Sequence, residues 1–218
     1  MSKASEVKLS VCEEFKSLQG EGLHMGLPCY FIRLSGCNLK CSYCDTTYAQ
    51  MPGSKKSVRA LVEGWKSSHI PLVEVTGGEP LLQPGTIDLL KELLRAGAEV
   101  LLETNGSLDI SQVPRGVVKI LDWKTPGSGH KESFLTTNLR FLDRLDQIKF
   151  VITNRQDFDF AMKKVEYYAL TQICEVLVSP AFGLMEPRLL AHWVLETGMR
   201  VRLQLQLHKW LWGDQPGT

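Results

Sequence analysis

No stretch of this chain is apolar for anything like the ~18 residues that a membrane-crossing helix needs, so no membrane span is expected. A basic block is missing too. The 25 Lys and Arg residues stand against 24 Asp and Glu, for a net charge of +1, and neither nucleic acid nor an anionic membrane is expected as the main partner. The first ten residues, M-S-K-A-S-E-V-K-L-S, lack the apolar centre of a secretory leader. There is no disulfide framework: three of six cysteines crowd one loop, and Cys12, Cys29 and Cys174 are scattered. That usage suits a reducing compartment in which thiolates hold metal, and a cytoplasmic location is expected. Repeats and low-complexity tracts are also lacking. With 218 residues the chain can bury a sizeable core, and residues 1–218 read as a single domain.

What is there centres on Gly36 to Tyr48, G-C-N-L-K-C-S-Y-C-D-T-T-Y. Cys37, Cys41 and Cys44 make C-x3-C-x2-C, three thiolates that one loop can wrap around one inorganic centre. A closed zinc site wants four ligands, usually as two separated pairs, and ferredoxin-type runs also supply four cysteines. Three thiolates on a four-iron cluster would leave one iron open to a small chelating ligand. The alternative is a zinc loop completed by His24, Cys29 or Cys174.

Along the chain, strands are expected over residues 7–15, 28–34, 71–75, 98–102, 117–121, 147–152 and 174–178. Helices are expected over 57–68, 86–97, 138–146, 157–170 and 187–197. The link from the fourth of these strands to the fifth is too short for a crossover helix with its loops. Residues 201–208, V-R-L-Q-L-Q-L-H, alternate strictly, so their polar face meets solvent or lines a polar cavity. Strands separated by helices imply parallel βαβ units. The fold expected is therefore α/β, an incomplete parallel β/α barrel of about six strands, open on one side.

Ligand groups in such folds gather at the carboxyl ends of the strands. The cysteine loop, T-G-G-E-P (76–80), E-T-N-G (103–106), D-W-K (122–124) and S-P-A-F (179–182) all fall at such ends. Ahead of them, S-L-Q-G-E-G-L-H-M-G (17–26) is rich in glycine and offers Gln19 and Glu21. Arg33 is the one charge in the apolar strand P-C-Y-F-I-R-L. Its guanidinium stays charged and must find an anion, either an internal carboxylate such as Glu21 or a carboxylate on a substrate.

The cysteine loop, with an aromatic before its last cysteine, and T-G-G-E-P resemble the radical S-adenosylmethionine (radical SAM) superfamily. More narrowly, L-Q-G-E-G (18–22), F-I-R-L-S-G-C (31–37), C-D-T (44–46) and L-H-K-W (207–210) resemble the 7-carboxy-7-deazaguanine synthase family. The resemblance implies a 4Fe–4S cluster on Cys37, Cys41 and Cys44, with SAM held by Tyr43, Asp45, Gly78, Asp122, Trp123, Lys124, Ser179, Pro180, Ala181 and Phe182. The family often has S-P-K where this chain has D-W-K, so Lys124 and the backbone there carry the expectation more than Asp122 and Trp123. A pterin would be bound by Leu18, Gln19, Gly20, Glu21, Arg33, Thr76 and His208, and Thr46 would take Mg2+.

The implied reaction contracts 6-carboxy-5,6,7,8-tetrahydropterin to 7-carboxy-7-deazaguanine with loss of ammonia, on the path to queuosine and other 7-deazapurines. A reductase such as flavodoxin or ferredoxin would supply electrons, and the family is a homodimer. The other readings are a glycyl-radical activating enzyme and a metal-cluster protein with no reaction of its own.

Overall fold

The computed structural model describes residues 6–213, 215 and 217, so the outermost ends of the expected single domain, and the first five of the ten residues read for a secretory leader, lie outside the described residues. β1 (Lys8–Leu18) pairs antiparallel with β2 (Pro28–Leu34) and, on its other edge, with β3 (Ser54–Ser57). The chain then alternates: α1 (Val58–Ser68), β4 (Leu72–Gly77), α2 (Thr86–Arg95), β5 (Glu99–Thr104), β6 (Val117–Asp122) and β7 (Gln147–Ile152). It continues through α3 (Arg155–Tyr167), α4 (Leu170–Ile173), β8 (Glu175–Pro180), α5 (Pro187–Thr197), β9 (Arg202–Leu203) and α6 (Leu207–Trp212). All nine strands form one sheet in the order β3-β1-β2-β4-β5-β6-β7-β8-β9. From β2 to β9 every pairing is parallel. The end strands β3 and β9 do not pair with each other, so the barrel is incomplete, as its sequence implied.

Strand alternation sorts the side chains. Ile32, Leu34, Val73, Val75, Val100 and Leu102 pack outward with Leu61, Leu89 and Leu93 of α1 and α2. Ile148, Phe150, Ile152, Val176 and Val178 pack outward with Phe158, Met162 and Leu190 of α3 and α5. On the inner face, Cys29, Phe31, Leu72, Leu101 and Ile120 form a small apolar plug. Above the plug, toward the carboxyl ends, the inner positions turn polar: Arg33, Glu74, Thr76, Glu103, Asp122, Lys149 and Ser179 all face one cavity.

Helix starts are where local chemistry puts them. Ser57 caps α1 by accepting from Ala60 N, Asn154 caps α3 by accepting from Asp157 N, and α5 opens on Pro187. The link from β5 to β6 contains no helix.

One expectation fails. The helix over 138–146 is a 3-10 turn, Thr136–Phe141. Asn138 is fully buried there, accepting from Ile110 N (3.3 Å) and donating to Gly106 O and Leu108 O (3.1 and 2.8 Å), so the segment clamps a loop. The alternating run 201–208 pairs with β8 only over Arg202–Leu203. Beyond it Gln206 and His208 turn into the cavity, and the chain coils into α6.

Candidate active site

The cavity at the strand ends measures about 440 Å³, within the range of about 300–1,000 Å³ for ligand sites. Cys37, Cys41 and Cys44 line one wall, followed directly by Asp45 and Thr46. The loop is fastened from below. Glu79 N donates to Gly36 O (2.8 Å) and Gly78 N to Leu34 O (3.1 Å). Here glycine is obligatory: a Cβ on Gly78 would sit 2.3 Å from Gly36 O. The glycines of T-G-G-E thus let that turn lie against the base of the cysteine loop. Glu79 is fully buried and accepts from Leu81 N, Thr104 Oγ1 and Asn105 N at 2.7–3.0 Å, locking the β4 and β5 turns together. Laterally, Asn38 bonds Asn105 and Ser107, and Ser42 Oγ donates to Gly127 O (2.5 Å).

These features suit a cluster held by three cysteines. Burial first, and then the neighbouring Cys44, raises the proton affinity of Cys37 and Cys41, which places the thiols close together. Cys37 Sγ already accepts from Leu39 N (3.4 Å). None of His24, Cys29 and Cys174 lines the cavity, and Cys29 and Cys174 are packed in apolar clusters. Among the described residues no three of His, Cys, Asp and Glu are gathered tightly enough to hold a single ion.

Beside the loop, Lys124 donates to Asp122 Oδ2 (2.7 Å) and stands 5.8 Å over the Tyr43 ring. Burial opposes the Lys124 charge, but Asp122 and Tyr43 outweigh it and raise its pKa. Asp122 Oδ1 is buried with no partner, an acceptor aimed at something not of the chain, as expected for a bound hydroxyl- or amine-bearing cofactor. Gly78, Asp45 and the strip Ser179, Pro180, Ala181 and Phe182 complete that side of the wall. Trp123 does not. Its ring is buried outward, stacked on Phe134 at 3.9 Å between centroids, because alternation along β6 sends position 123 to the helix face. Its expected role in holding SAM can therefore involve only its backbone.

Another part of the same lining gathers Leu18, Gln19, Gly20, Glu21, Arg33, Thr76 and His208. Arg33 finds its anion in Glu13, directly across the β1–β2 ladder, with Nε 2.7 Å from Oε1, rather than in Glu21. It also lies 5.7 Å over Phe15 and still lines the cavity. The His208 ring rests on Gly20: a Cβ there would fall 2.0 Å from Nδ1. Burial lowers the His208 pKa. Glu21 accepts from Gln206 (2.8 Å), Gln204 (3.2 Å) and Lys149 (2.6 Å), and Lys149 holds its pKa down against burial. Thr46 Oγ1 donates to Asp45 Oδ1 (2.9 Å) and makes no capping bond to the 3-10 turn Thr47–Gln50 that follows it.

Sequence reasoning missed Glu74, Glu103 and Lys149, all on the cavity floor. Two carried a readable signal. Glu74 in P-L-V-E-V and Lys149 in Q-I-K-F-V-I are lone charges in apolar strands, as Arg33 is. The signal is not clean, since Lys119 in V-V-K-I-L shows it too yet pairs with Asp146 (2.9 Å) outside the cavity.

The Radical SAM superfamily model matches residues 31–122. A 7-carboxy-7-deazaguanine synthase of Chlorobaculum tepidum is 41% identical over 212 residues, covering 96% of both chains. One from Koribacter versatilis is 41% identical over 219 residues, covering 94% of this chain and 97% of its own. Among solved structures, QueE from Escherichia coli shares the fold at TM-score 0.76 and 21% identity, covering 92% of this chain and 95% of its own. Streptococcus suis SuiB bound to S-adenosylmethionine shares it at TM-score 0.57 and 16% identity, over 78% of this chain and 44% of that one. At identities near 40% over nearly the whole chain, with the cysteine loop intact, this chain is a radical SAM enzyme and belongs to the 7-carboxy-7-deazaguanine synthase family.

Proposed function

We propose that the chain converts 6-carboxy-5,6,7,8-tetrahydropterin to 7-carboxy-7-deazaguanine with loss of ammonia, as a lyase in 7-deazapurine biosynthesis. One observation carries the reading: the cysteine loop and a wall of Gln19, Glu21, Arg33 and Thr76 share a single cavity. A glycyl-radical activating enzyme has no need of that second wall. Bound on Cys37, Cys41 and Cys44, the cluster with SAM supplies a 5′-deoxyadenosyl radical able to take a hydrogen from a carbon held against it.

The chain's own residues bind and orient. Asp122 Oδ1, Lys124, Tyr43 and the Ser179–Phe182 strip hold SAM beside the cysteine loop. Arg33, its Nε steadied by Glu13, takes the pterin carboxylate with the rest of its fork. Thr76 touches the same carboxylate, and Leu18, Gln19, Gly20 and His208 flank the ring. This aims C6 of the pterin at the SAM side, so that hydrogen loss there starts the ring contraction. Thr46 would supply an oxygen to a Mg2+ ion that helps organise the substrate, and its hydroxyl makes no capping bond. An external reductase such as flavodoxin or ferredoxin, a homodimeric state and a cytoplasmic location belong to the same proposal.

The test is incubation of anaerobically reconstituted protein with dithionite, SAM and the carboxytetrahydropterin. The reading requires 7-carboxy-7-deazaguanine to accumulate. Reductive cleavage of SAM with the pterin left intact would overturn it. Within that assay, Thr46→Ala should keep its iron and its SAM affinity yet lose most turnover and its response to Mg2+, and Thr46→Ser should recover much of that response. Equal activity of wild type and Thr46→Ala across a Mg2+ titration would remove the ion from this hydroxyl.

A further inference from the structure

Among the charged side chains of the cavity that have no role above is Lys149. Lys149 leaves the middle of β7 with only 6% of its side chain exposed, and its Nζ stands 2.6 Å from Glu21 Oε2, 2.5 Å from Glu103 Oε1 and 3.9 Å from Asp122 Oδ2. Those carboxylates come from the loop after β1, from β5 and from β6, so one ammonium joins three segments. Next to them on β4, Glu74 accepts from Gln19 Nε2. Lys124, Lys209, Arg33, Asp45, His208 and Tyr43 are further charged or titratable groups on the cavity wall, with the three thiols of the cysteine loop. An internal ion pair needs one anion, and Lys149 has two at contact distance with a third behind, all facing open space.

We infer that Lys149 is a positioning residue for the bound substrate: it fixes the Glu21 and Glu103 carboxylates side by side on the cavity floor as a paired acceptor for N–H groups of a flat heterocycle. The inference rests on the proposed pterin reaction. Two carboxylates this close would otherwise repel each other, and one would take up a proton and become a donor. Through Asp122, which also holds Lys124, the same ammonium ties the substrate floor to the SAM wall. Burial would strip the charge from Lys149, but Glu103, Glu21 and Asp122 outweigh it and hold its pKa well above the ordinary lysine value. It therefore stays a cation across the working pH range.

The experiment compares wild type, Lys149→Met and the double variant Lys149→Met/Glu103→Gln. It measures kcat and KM for the carboxytetrahydropterin from about pH 6 to about pH 8.5, with iron content and SAM affinity as controls. The wild-type profile of KM against pH, which includes the Glu74 proton that all three proteins share, is the reference. Lys149→Met should raise KM at least about tenfold near neutrality while kcat at saturation holds within a few-fold. That KM should fall as pH rises, because the stranded pair must shed its proton before both members accept. In the double variant the added pH dependence should disappear, leaving the wild-type profile, while KM stays high.

An unchanged KM with the wild-type pH profile in active Lys149→Met overturns the inference. If Lys149→Met fails to load iron, the charge-balanced double variant decides, and a KM within about twofold of wild type there overturns it, as does loss of iron from both. Wild-type protein that leaves the pterin untouched overturns the functional reading, and this inference with it.

Discussion

Arg33 is anchored at one end only. Its Nε is 2.7 Å from Glu13 Oε1, and the group sits at the cavity edge with 17% of its side chain exposed. Arg33→Ala should weaken substrate binding by about 2–5 kcal/mol while iron content and SAM affinity stay normal. Equilibrium titration of the pterin against reconstituted protein checks it. A variant that unfolds or loses iron would make the Glu13 pair structural and nothing more.

Glu74 gives a second residue-scale test. Burial, then the nearby Glu103, pushes its pKa up to about 8. The folded protein therefore binds a proton that the unfolded chain, with an ordinary glutamate pKa near ~4.3, has released. Stability should fall as pH rises from about 5 to about 8, since the unfolded state binds fewer protons in that window. Glu74→Gln should flatten that part of the profile of Tm against pH. An equally steep profile in the variant would contradict the assignment. The rule that exposes such residues, a lone charge inside an apolar strand, was legible for Arg33. Applied evenly it also reaches Glu74 and Lys149, but only the fold separates these from Lys119, whose partner Asp146 comes from the loop just before β7.

At the scale of elements, the cysteine loop was legible because its spacing is local. It stands on backbone bonds from Gly78 and Glu79 and on side-chain ties to the turns after β5 and β6, and those long-range supports leave no trace in C-x3-C-x2-C itself. Changing Cys37, Cys41 or Cys44 singly to Ala should abolish iron loading and SAM cleavage. Cys12, Cys29 and Cys174 changed together to Ala should retain both, at about 1 kcal/mol of stability for each buried thiol. Iron content by absorbance and metal analysis reads the difference. Loss of iron in the triple variant would demand a fourth protein ligand. Where periodicity misled, tertiary bonds had overridden it. Residues 138–146 have helical composition, but buried Asn138 serves three loop backbone groups at once. The alternation over 201–208 did mark an inward polar face, realised by Gln206 and His208 in a segment that strand pairing abandons after Leu203.

Across the whole molecule, alternating strands and helices sufficed to imply parallel order and an open barrel, because a parallel connection must cross over and a helix is the usual crossing. The antiparallel pairing of β1 with β2 and β3 was beyond such reasoning, as residues 7–15 read as a short strand or lead-in with no partner and 54–57 carried no strand signal. The proposed function is likewise a whole-molecule claim: two groups of residues interleaved along the sequence line one cavity and would aim one carbon of a pterin at SAM. It is tested most directly by supplying 6-carboxytetrahydropterin deuterated at C6 to the reduced, reconstituted enzyme and locating the label by mass spectrometry. The account predicts deuterium in 5′-deoxyadenosine and none at that position in the 7-carboxy-7-deazaguanine formed. Product formation with unlabelled 5′-deoxyadenosine would contradict it.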